Sequence, residues 1–250
     1  MALYGYDAPQ FDCEEKIELS IGALRKMDLS HFVFLELKGD EDEPYEFEDI
    51  SFLRLFPNLV RLYMYNAFPK SLSVLTELKY LSVLEFVDSS VKNINEVLAL
   101  RHLVKLEFVR TKAFPDGVLN RLENLHEIAE LHLQEENLID ISALATLVNL
   151  SHLSLRGNNK LSDIRALSNL KRLEFLDVRD TSVNDYSPLR MLKNMKELRI
   201  GEIFSDYKFS TRTIWKIKSL IPRKCKIVIN NTEADKKDKD FIEEMVELFK

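Results

Sequence analysis

The chain has 250 residues, of which 46% are hydrophobic and 30% charged, and its net charge is −6 at pH 7. These fractions are typical of a folded globular chain and exclude a disordered, collagen-like or membrane-spanning one. Two cysteines, Cys13 and Cys225, are too few for a disulfide framework or a zinc cage. The first twenty residues lack the basic start and apolar stretch of a secretory signal. We therefore expect a cytoplasmic protein, and no cofactor.

Charge is concentrated in two opposed segments. Residues 40–49 contain seven acidic residues and no basic one, whereas residues 208–226 contain seven basic residues and no acidic one. Either both are solvated surfaces, or they orient a bipolar partner electrostatically. Nucleic-acid binding would require a basic stripe interleaved with aromatic residues along one face. Because the basic residues lie at one end and the pI is about 5.5, we expect neither nucleic acid nor membrane as a partner.

Apolar residues at helical spacing lie near the start of the chain. Within residues 11–28, Ile17, Ile21 and Leu24 share one face of a predicted helix. We interpret residues 1–31 as an N-terminal helical cap for the repeats that follow, because the open end of stacked repeats exposes their core.

The pattern L-x-x-L-x-L, with Ile, Val, Met or Phe also allowed, recurs through residues 32–203. The copies begin at Phe32, Leu59, Leu81, Leu103, Ile128, Leu150, Leu173 and Met195, at spacings of 27, 22, 22, 25, 22, 23 and 22 residues. The two central apolar residues of a copy are two positions apart, so they point to one side of a short strand. Later apolar residues at three-residue spacing predict a short 3₁₀ or helical return. Because one copy cannot bury its own leucines, neighbouring copies must stack into a parallel sheet.

The best copies also match after the strand, in ENLIDISALATLVNL, NKLSDIRALSNLKRL and TSVNDYSPLRMLKNM. Here the sequence resembles the leucine-rich repeat family, in the 22-residue class of bacterial internalins and of a eukaryotic phosphatase-regulatory subunit. The resemblance implies an α/β fold, a right-handed leucine-rich repeat solenoid of about eight repeats with a parallel concave sheet and short helical or 3₁₀ convex segments. It also places Asn158, Thr181, Thr111 and Ser89 at the family's asparagine-ladder position, where a short polar side chain can bond the turn that leaves the strand.

Two further segments follow the repeats. Residues 211–221 carry Ile214, Ile217 and Leu220 at helical spacing, and the alternating segment CKIVI after Pro222 predicts a strand. We interpret residues 204–230 as a helix-strand C-terminal cap. Residues 231–250 are predicted to be a charged linker and an amphipathic tail helix, which docks on the cap, frays or binds a partner.

The solvent-facing strand positions form rows across the sheet face opposite the leucines, which we call the concave face. The central row is Glu36, Tyr63, Glu85, Glu107, His132, Ser154, Asp177 and Arg199. Apolar and aromatic residues cluster on the second to fourth repeats, and aromatic anchors rimmed by charge are typical of protein interfaces. The predicted partner-binding residues are Tyr63, Tyr65, Val83, Glu85, Val87, Lys105, Glu107, Val109, His132, Arg156 and Arg179.

Two catalytic interpretations are weak. Glu107, His132 and Ser154 have the residue order of an acid–base–nucleophile relay, and His132, His152, Glu130 and Glu107 have the chemistry of zinc ligands. However, an open sheet has its backbone amides committed to strand pairing, so it offers no oxyanion hole and no second shell around a metal. No catalytic residue and no metal ligand is therefore assigned.

The favoured function is a non-enzymatic interaction module, monomeric alone, that binds a protein partner on its concave face. It would act as a bacterial cytosolic or effector-type scaffold or regulator, in the host cytosol if it is delivered there. The alternative is a substrate-recognition adaptor or regulatory subunit of a larger enzyme assembly, with one cap or the tail docking the catalytic partner.

The predicted caps determine the redox state of the cysteines. Cys13 and Cys225 lie in opposite caps, whereas a disulfide requires Cα atoms within about 7 Å of each other. Titration of the denatured, unreduced protein with a thiol reagent should therefore detect both cysteines as free thiols. A monomer that changes its mobility on a gel when the reductant is omitted would show that the caps are misplaced.

Overall fold

The computed structural model describes residues 2–5, 24–39, 45–47, 49–111, 118–202 and 209–229. Its strands are β1 (Ala2–Gly5), β2 (Phe32–Lys38), β3 (Tyr45–Phe47), β4 (Arg61–Tyr65), β5 (Ala67–Pro69), β6 (Val83–Val87), β7 (Lys105–Val109), β8 (Glu130–Gln134), β9 (His152–Ser154), β10 (Phe175–Asp177), β11 (Glu197–Ile200) and β12 (Lys226–Ile229). The α-helices are α1 (Ile94–Leu98) and α2 (Thr211–Lys218). The 3₁₀ helices are η1 (Ser51–Leu55), η2 (Ser73–Glu77), η3 (Val118–Asn124), η4 (Ser142–Thr146), η5 (Arg165–Asn169) and η6 (Ser187–Met191).

Ten strands form one sheet in the order β1-β2-β4-β6-β7-β8-β9-β10-β11-β12. The eight strands β2, β4 and β6 to β11 correspond one to one with the eight copies of the sequence pattern, and all of them pair in parallel. The predicted solenoid with a parallel sheet and short 3₁₀ segments is therefore confirmed.

Leucines in register build the core. Leu35, Leu62 and Leu84 are direct neighbours on β2, β4 and β6, and the same row continues through Leu106, Leu131, Leu153, Leu176 and Leu198. Every member of this row is fully buried. Two positions later, Phe86 and Phe108 stack with ring centroids 5.3 Å apart. Because each apolar row runs the length of the sheet, every repeat buries its leucines against its neighbours.

The return segments are 3₁₀ helices in most repeats, and each begins at a local turn. Asp49, Asp140, Asp163 and Asp185 each accept a hydrogen bond from the backbone N–H two residues later, just before a 3₁₀ helix. Hydrogen bonds from the side chain and the backbone N–H of that same residue lower the pKa of Asp49, Asp163 and Asp185. The third repeat differs, because its return is α1, capped by the Asn93 side chain, which accepts from the Asn95 N–H.

Short polar side chains bond the turns that leave the strands. The side chain of Asn158 is completely buried, accepts from the backbone N–H groups of Glu136 and Leu138, and donates to the carbonyls of Leu133 and Leu155. The shorter side chains at the equivalent position of other repeats form fewer hydrogen bonds than Asn158 does. Ser89 accepts from the N–H of Ala67, Thr181 donates to the Val178 carbonyl, and Thr111 donates to the carboxylate of Glu136.

The same turns place one residue in the left-handed region in six consecutive repeats. These residues are Asn66, Asp88, Arg110, Glu135, Gly157 and Asp180, with φ between 47° and 78°. Only one of the six is a glycine, and there the neighbouring repeat is too close for a side chain, since a Cβ on Gly157 would lie 2.4 Å from Cγ of Glu135. In five of these six repeats the tight turn therefore places a non-glycine residue in a region that costs conformational energy.

Several features at the ends of the sheet differ from or go beyond the sequence analysis. Residues 2–5, placed within the predicted helical cap, form strand β1, which pairs antiparallel with β2. The short strands β3 and β5 form a separate parallel pair beside the main sheet. Most of the helix predicted for residues 11–28 and the whole tail after residue 230 lie outside the described residues. The limits assigned to the caps, repeats and tail stay a prediction.

At the C-terminal end, Ser210 is the N-cap of α2, and its side chain accepts from the N–H of Thr213. Strand β12 then extends the sheet by pairing in parallel with β11. Cys225 is a buried free thiol, and burial raises its pKa to about 11. Among the described residues, no helix is long and apolar enough to cross a membrane.

The four hydrogen bonds of Asn158 generate a stability prediction. Asn158→Ala leaves two buried N–H groups and two buried carbonyls without that partner, so the free energy of unfolding should fall by about 3 kcal/mol or more. Asn149→Ala is the matched control, because this half-buried side chain makes only two hydrogen bonds, donating to the His126 carbonyl and accepting from Arg172, and it should cost about 1 kcal/mol or less. Urea unfolding measures the free energy of unfolding of both variants. An equal decrease in the two would show that the buried hydrogen bonds of Asn158 stabilise the fold no more than those of Asn149.

Candidate functional site

The concave face carries the rows that the sequence predicts. Glu36, Tyr63, Glu85, Glu107, His132, Ser154, Asp177 and Arg199 are direct neighbours on successive strands. Because side chains alternate along a strand, this row lies on the face opposite the buried leucines. The register therefore brings the predicted site residues of the second to fifth repeats onto one surface.

The aromatic part of this surface is the tyrosine patch, formed by Tyr63, Tyr65 and Val87. All three side chains are half-buried. Tyr65 and Val87 are paired in register on β4 and β6, with Lys38 Nζ 5.2 Å from the Tyr65 ring centroid. Val109 continues the same row on β7 but is 8% exposed, so it adds little accessible surface to the patch.

A ladder of charged side chains crosses the face beside the tyrosine patch. Arg61 Nε lies 2.6 Å and Lys105 Nζ 2.5 Å from the carboxylate of Glu85. Lys105 also lies 3.1 Å from Glu107, whose carboxylate is 3.2 Å from Nδ1 of His132. The ladder thus runs across four strands with alternating charge, and Val83 lies in register between Arg61 and Lys105.

This ladder determines the electrostatics of the tyrosine patch. Glu85 is only 2% exposed, because the two basic side chains hold its carboxylate. Burial opposes ionisation of Glu107, but the hydrogen bond from His132 and the charge of Lys105 outweigh it and lower the pKa of Glu107. Burial and the carboxylates of Glu36, Glu107 and Glu85 raise the pKa of Tyr63, so its phenol stays neutral well above pH 7.

The two predicted arginines lie elsewhere on the face. Arg156 and Arg179 belong to the sixth and seventh repeats, and β9 is four strands from β4, a separation of about 19 Å at the usual strand spacing. Arg179 is buried and donates to both carboxylate oxygens of Asp177. Arg156 remains partly exposed, with Nε 3.7 Å from Asp180. The eleven predicted residues therefore form two separate groups, and Glu85, Val109 and Arg179 offer almost no free surface.

The side chains of the weak catalytic interpretation are only partly assembled. Glu107 contacts His132, but Ser154 Oγ is buried and has no hydrogen-bond partner among the described residues. His152 accepts or donates a hydrogen bond with Ser151 instead. In the described part of the chain, no group of three His, Cys, Asp or Glu side chains is placed to hold a metal ion.

Comparison with known proteins supports the fold. No family model matches the sequence, and no curated protein matches it. Among solved structures, internalin C2 from Listeria monocytogenes is similar with a TM-score of 0.56 and 23% identity, over 84% of each chain. A leucine-rich repeat protein from Leptospira interrogans has a TM-score of 0.53 and 19% identity, over 72% of this chain and 51% of its own. TLR13, in a TLR13–ssRNA13 complex, has a TM-score of 0.52 and 20% identity, over 76% of this chain and 32% of its own.

The chain has the leucine-rich repeat fold. The predicted resemblance to leucine-rich repeat proteins, and to internalins among them, is confirmed at the level of fold by these structures and by the parallel sheet with its 3₁₀ returns. Proteins with this solenoid are in general interaction modules, with the sheet as an extended binding surface.

Sequence reasoning missed several residues of the leucine-rich repeat solenoid that shape the concave face. Arg61 is one of them, since it bonds Glu85 and lies over Phe34, with its guanidinium carbon 5.0 Å from the ring centroid. Phe175 is another, half-buried between His152 and Arg199. The available signal was the row two residues before the central row, which contains the aromatic residues Phe34 and Phe175 and the basic residues Arg61 and Lys105.

The lowered pKa of Glu107 makes a pH prediction. A carboxyl whose pKa is lower in the folded than in the unfolded chain stabilises the fold above its unfolded value, and this contribution is lost as the pH falls through the folded value. Glu107→Gln should therefore destabilise the protein at pH 7, by on the order of 1 kcal/mol. The difference should shrink once the pH falls below the ordinary value of 4.5.

Urea unfolding at pH 7 and at pH 4 or below measures this effect. The control is Glu77→Gln, because Glu77 pairs with Arg54 on the exposed surface, and surface pairs contribute little. A Glu107→Gln penalty that is the same at both pH values would contradict the ladder as the cause.

Proposed function

We propose that this leucine-rich repeat solenoid is a non-enzymatic interaction module that binds a protein partner on its concave face. The observation that supports the proposal best is the tyrosine patch, since Tyr63 and Tyr65 keep exposed surface on a strand whose core side is filled by Leu62 and Met64. Nothing in the packing of the core requires an aromatic residue at either position. Tyrosine is enriched at the centres of protein interfaces because its ring buries apolar area while its hydroxyl keeps a hydrogen-bond partner.

The charged ladder supplies the rim of the proposed site. Glu36, Glu107 and the exposed side of Arg61 surround the patch, and the acidic segment 40–49 follows β2 closely in sequence. Rim charges guide association and select partners more than they add affinity. Because Glu85 is already neutralised by two bases, we propose that it holds Arg61 and Lys105 in place rather than touching the partner.

We further propose a cytoplasmic or effector-type scaffold or regulator of bacterial origin. Support comes from the resemblance to bacterial solenoids, from Cys225 as a buried free thiol, and from the composition. We also keep two predictions from the sequence. The chain is a monomer when alone, and it takes neither nucleic acid nor membrane as a partner.

The proposal is tested by removing the aromatic anchors. Tyr63→Ala combined with Tyr65→Ala should weaken binding by at least about thirtyfold, since one anchor at an interface centre contributes about 2 kcal/mol or more. Thermal stability should change little, because neither ring belongs to the leucine core. The measurement is affinity purification followed by calorimetry with the purified partner.

Tyr80→Ala is the matched control, because Tyr80 is 60% exposed and lies between η2 and β6, off the sheet face. It should bind as the unmodified chain does. Normal binding by the double variant would overturn the concave site. Unfolding of the double variant would show instead that the two tyrosines serve packing.

A further inference from the structure

Glu36, on β2, is a carboxylate of the concave face that no base neutralises. It is half-buried, and it has no hydrogen-bond or ion-pair partner among the described residues. The acids Glu85 and Glu107 of the same row differ, because they share the bases Arg61 and Lys105. A half-buried carboxylate without a counter-ion has lost hydration and gained no partner in exchange, which costs free energy. Glu36 therefore favours an incoming cation.

The aromatic ring beside this carboxylate belongs to Tyr63. Glu36 and Tyr63 are direct neighbours on β2 and β4, and adjacent strands lie about 4.8 Å apart. Two nearby rings already carry a cation of the chain itself, in the pairs Lys38–Tyr65 and Arg61–Phe34, at 5.2 and 5.0 Å from the ring centroid. Tyr63 has no such contact in the part of the chain that the structure describes. A cation on its half-buried ring would lie within reach of Glu36.

The surrounding charges favour a basic side chain at Tyr63 over an acidic one. Burial and the carboxylates of Glu36, Glu107 and Glu85 raise the pKa of Tyr63, so the phenol is neutral at pH 7. The face of a neutral aromatic ring attracts a cation through its quadrupole. An incoming carboxylate would gain nothing from the ring face and would be repelled by Glu36.

Lys38 lies on the same strand as Glu36 but does not neutralise it. Its ammonium group lies over the Tyr65 ring, and no ion pair joins it to Glu36. The chain then enters segment 40–49, which holds seven acidic residues and no basic one. Because this segment begins two residues after Lys38, its acids start near the end of β2. This side of the concave face therefore carries surplus negative charge, which attracts basic segments of a partner.

We propose that Glu36 and Tyr63 form a cation site, which binds a basic side chain of the protein partner and fits arginine best. The planar guanidinium stacks on the Tyr63 ring while its N–H groups donate to the Glu36 carboxylate. The contact supplies the counter-ion that Glu36 lacks. This inference rests on the proposed function, and it specifies the residue type that the partner presents to the tyrosine patch.

The test uses blocked tripeptides and needs no identified partner. The whole chain, with ¹³C-labelled tyrosine rings, is titrated with acetyl-Gly-Arg-Gly-amide or with its citrulline analogue, which replaces the guanidinium by a neutral urea group of similar shape. Saturable shifts of the Tyr63 ring signals are expected, with half-saturation by the arginine peptide at an about fivefold lower concentration. Acetyl-Gly-Asp-Gly-amide should give no saturable shift. The signals of Tyr80, which is 60% exposed, should not move with any of the peptides.

Two matched variants test the carboxylate. Glu36→Gln keeps the size of the side chain and removes its charge, so the preference for arginine over citrulline should fall from about fivefold to about twofold or less. Glu77→Gln is the control, because Glu77 lies in η2, is exposed and pairs with Arg54. This control should keep the preference of the unmodified chain. Neither side chain belongs to the leucine core, so both variants should fold.

Equal half-saturation by the arginine and citrulline peptides would overturn the inference, and so would a preference that survives Glu36→Gln. A saturable shift of Tyr63 with the aspartate peptide would also overturn it, in favour of an acidic partner. The two proposals fail separately. If the tyrosine double variant loses the purified partner but Glu36→Gln binds it normally, the concave site stands and the cation site fails. If the arginine preference is found but the double variant binds the partner normally, the proposed function fails while the cation preference of Glu36 and Tyr63 stands.

Discussion

Stacking of identical apolar rows is the constraint on which the whole structure depends. A repeat of about 22 residues consists of a strand, a tight turn and a short return segment. One such repeat cannot bury its own leucines. The leucines are buried because the next repeat presents the same residues in register, from Leu35 on β2 to Leu198 on β11. A change in the register of one strand would therefore misalign every row that passes through it.

The turn after each strand is the second consequence of stacking. To bring the chain round within a few residues, one residue of the turn after the strand adopts the left-handed conformation in six consecutive repeats, and in five of them it is not glycine. The strain is offset by hydrogen bonds from the ladder position, which are most numerous at Asn158. Where the ladder residue is shorter, other groups contribute, as when the buried carboxylate of Glu136 accepts from both the N–H and the hydroxyl of Thr111.

Because the core takes one face of every strand, the other face is free to vary, and its two halves differ. The N-terminal half combines tyrosines with a closed ladder of ion pairs, in which each buried charge has a partner. The C-terminal half combines the aromatic ring of Phe175 with two arginines, Arg179 and Arg199, that each pair with a carboxylate two residues away in sequence. Burying a charge without a partner is costly, and both halves avoid this cost, because Glu85 is paired with two bases and Arg179 with Asp177.

The eight strands, their register and the face of each side chain could be predicted from the spacing of apolar residues. This is possible because the repeat forces residues 22 apart to become neighbours, so position in the sequence translates directly into position on the sheet. Strand β1 and the short pair β3–β5 lie outside the repeat. Their pairing could therefore not be predicted from the spacing of apolar residues. The burial of Glu85, Val109 and Arg179 could not be predicted either, because the sequence pattern assigns all three to solvent-facing positions. Whether such a side chain is exposed depends on which long neighbours fold over it, as Arg61 and Lys105 fold over Glu85, and only the packed tertiary structure decides that.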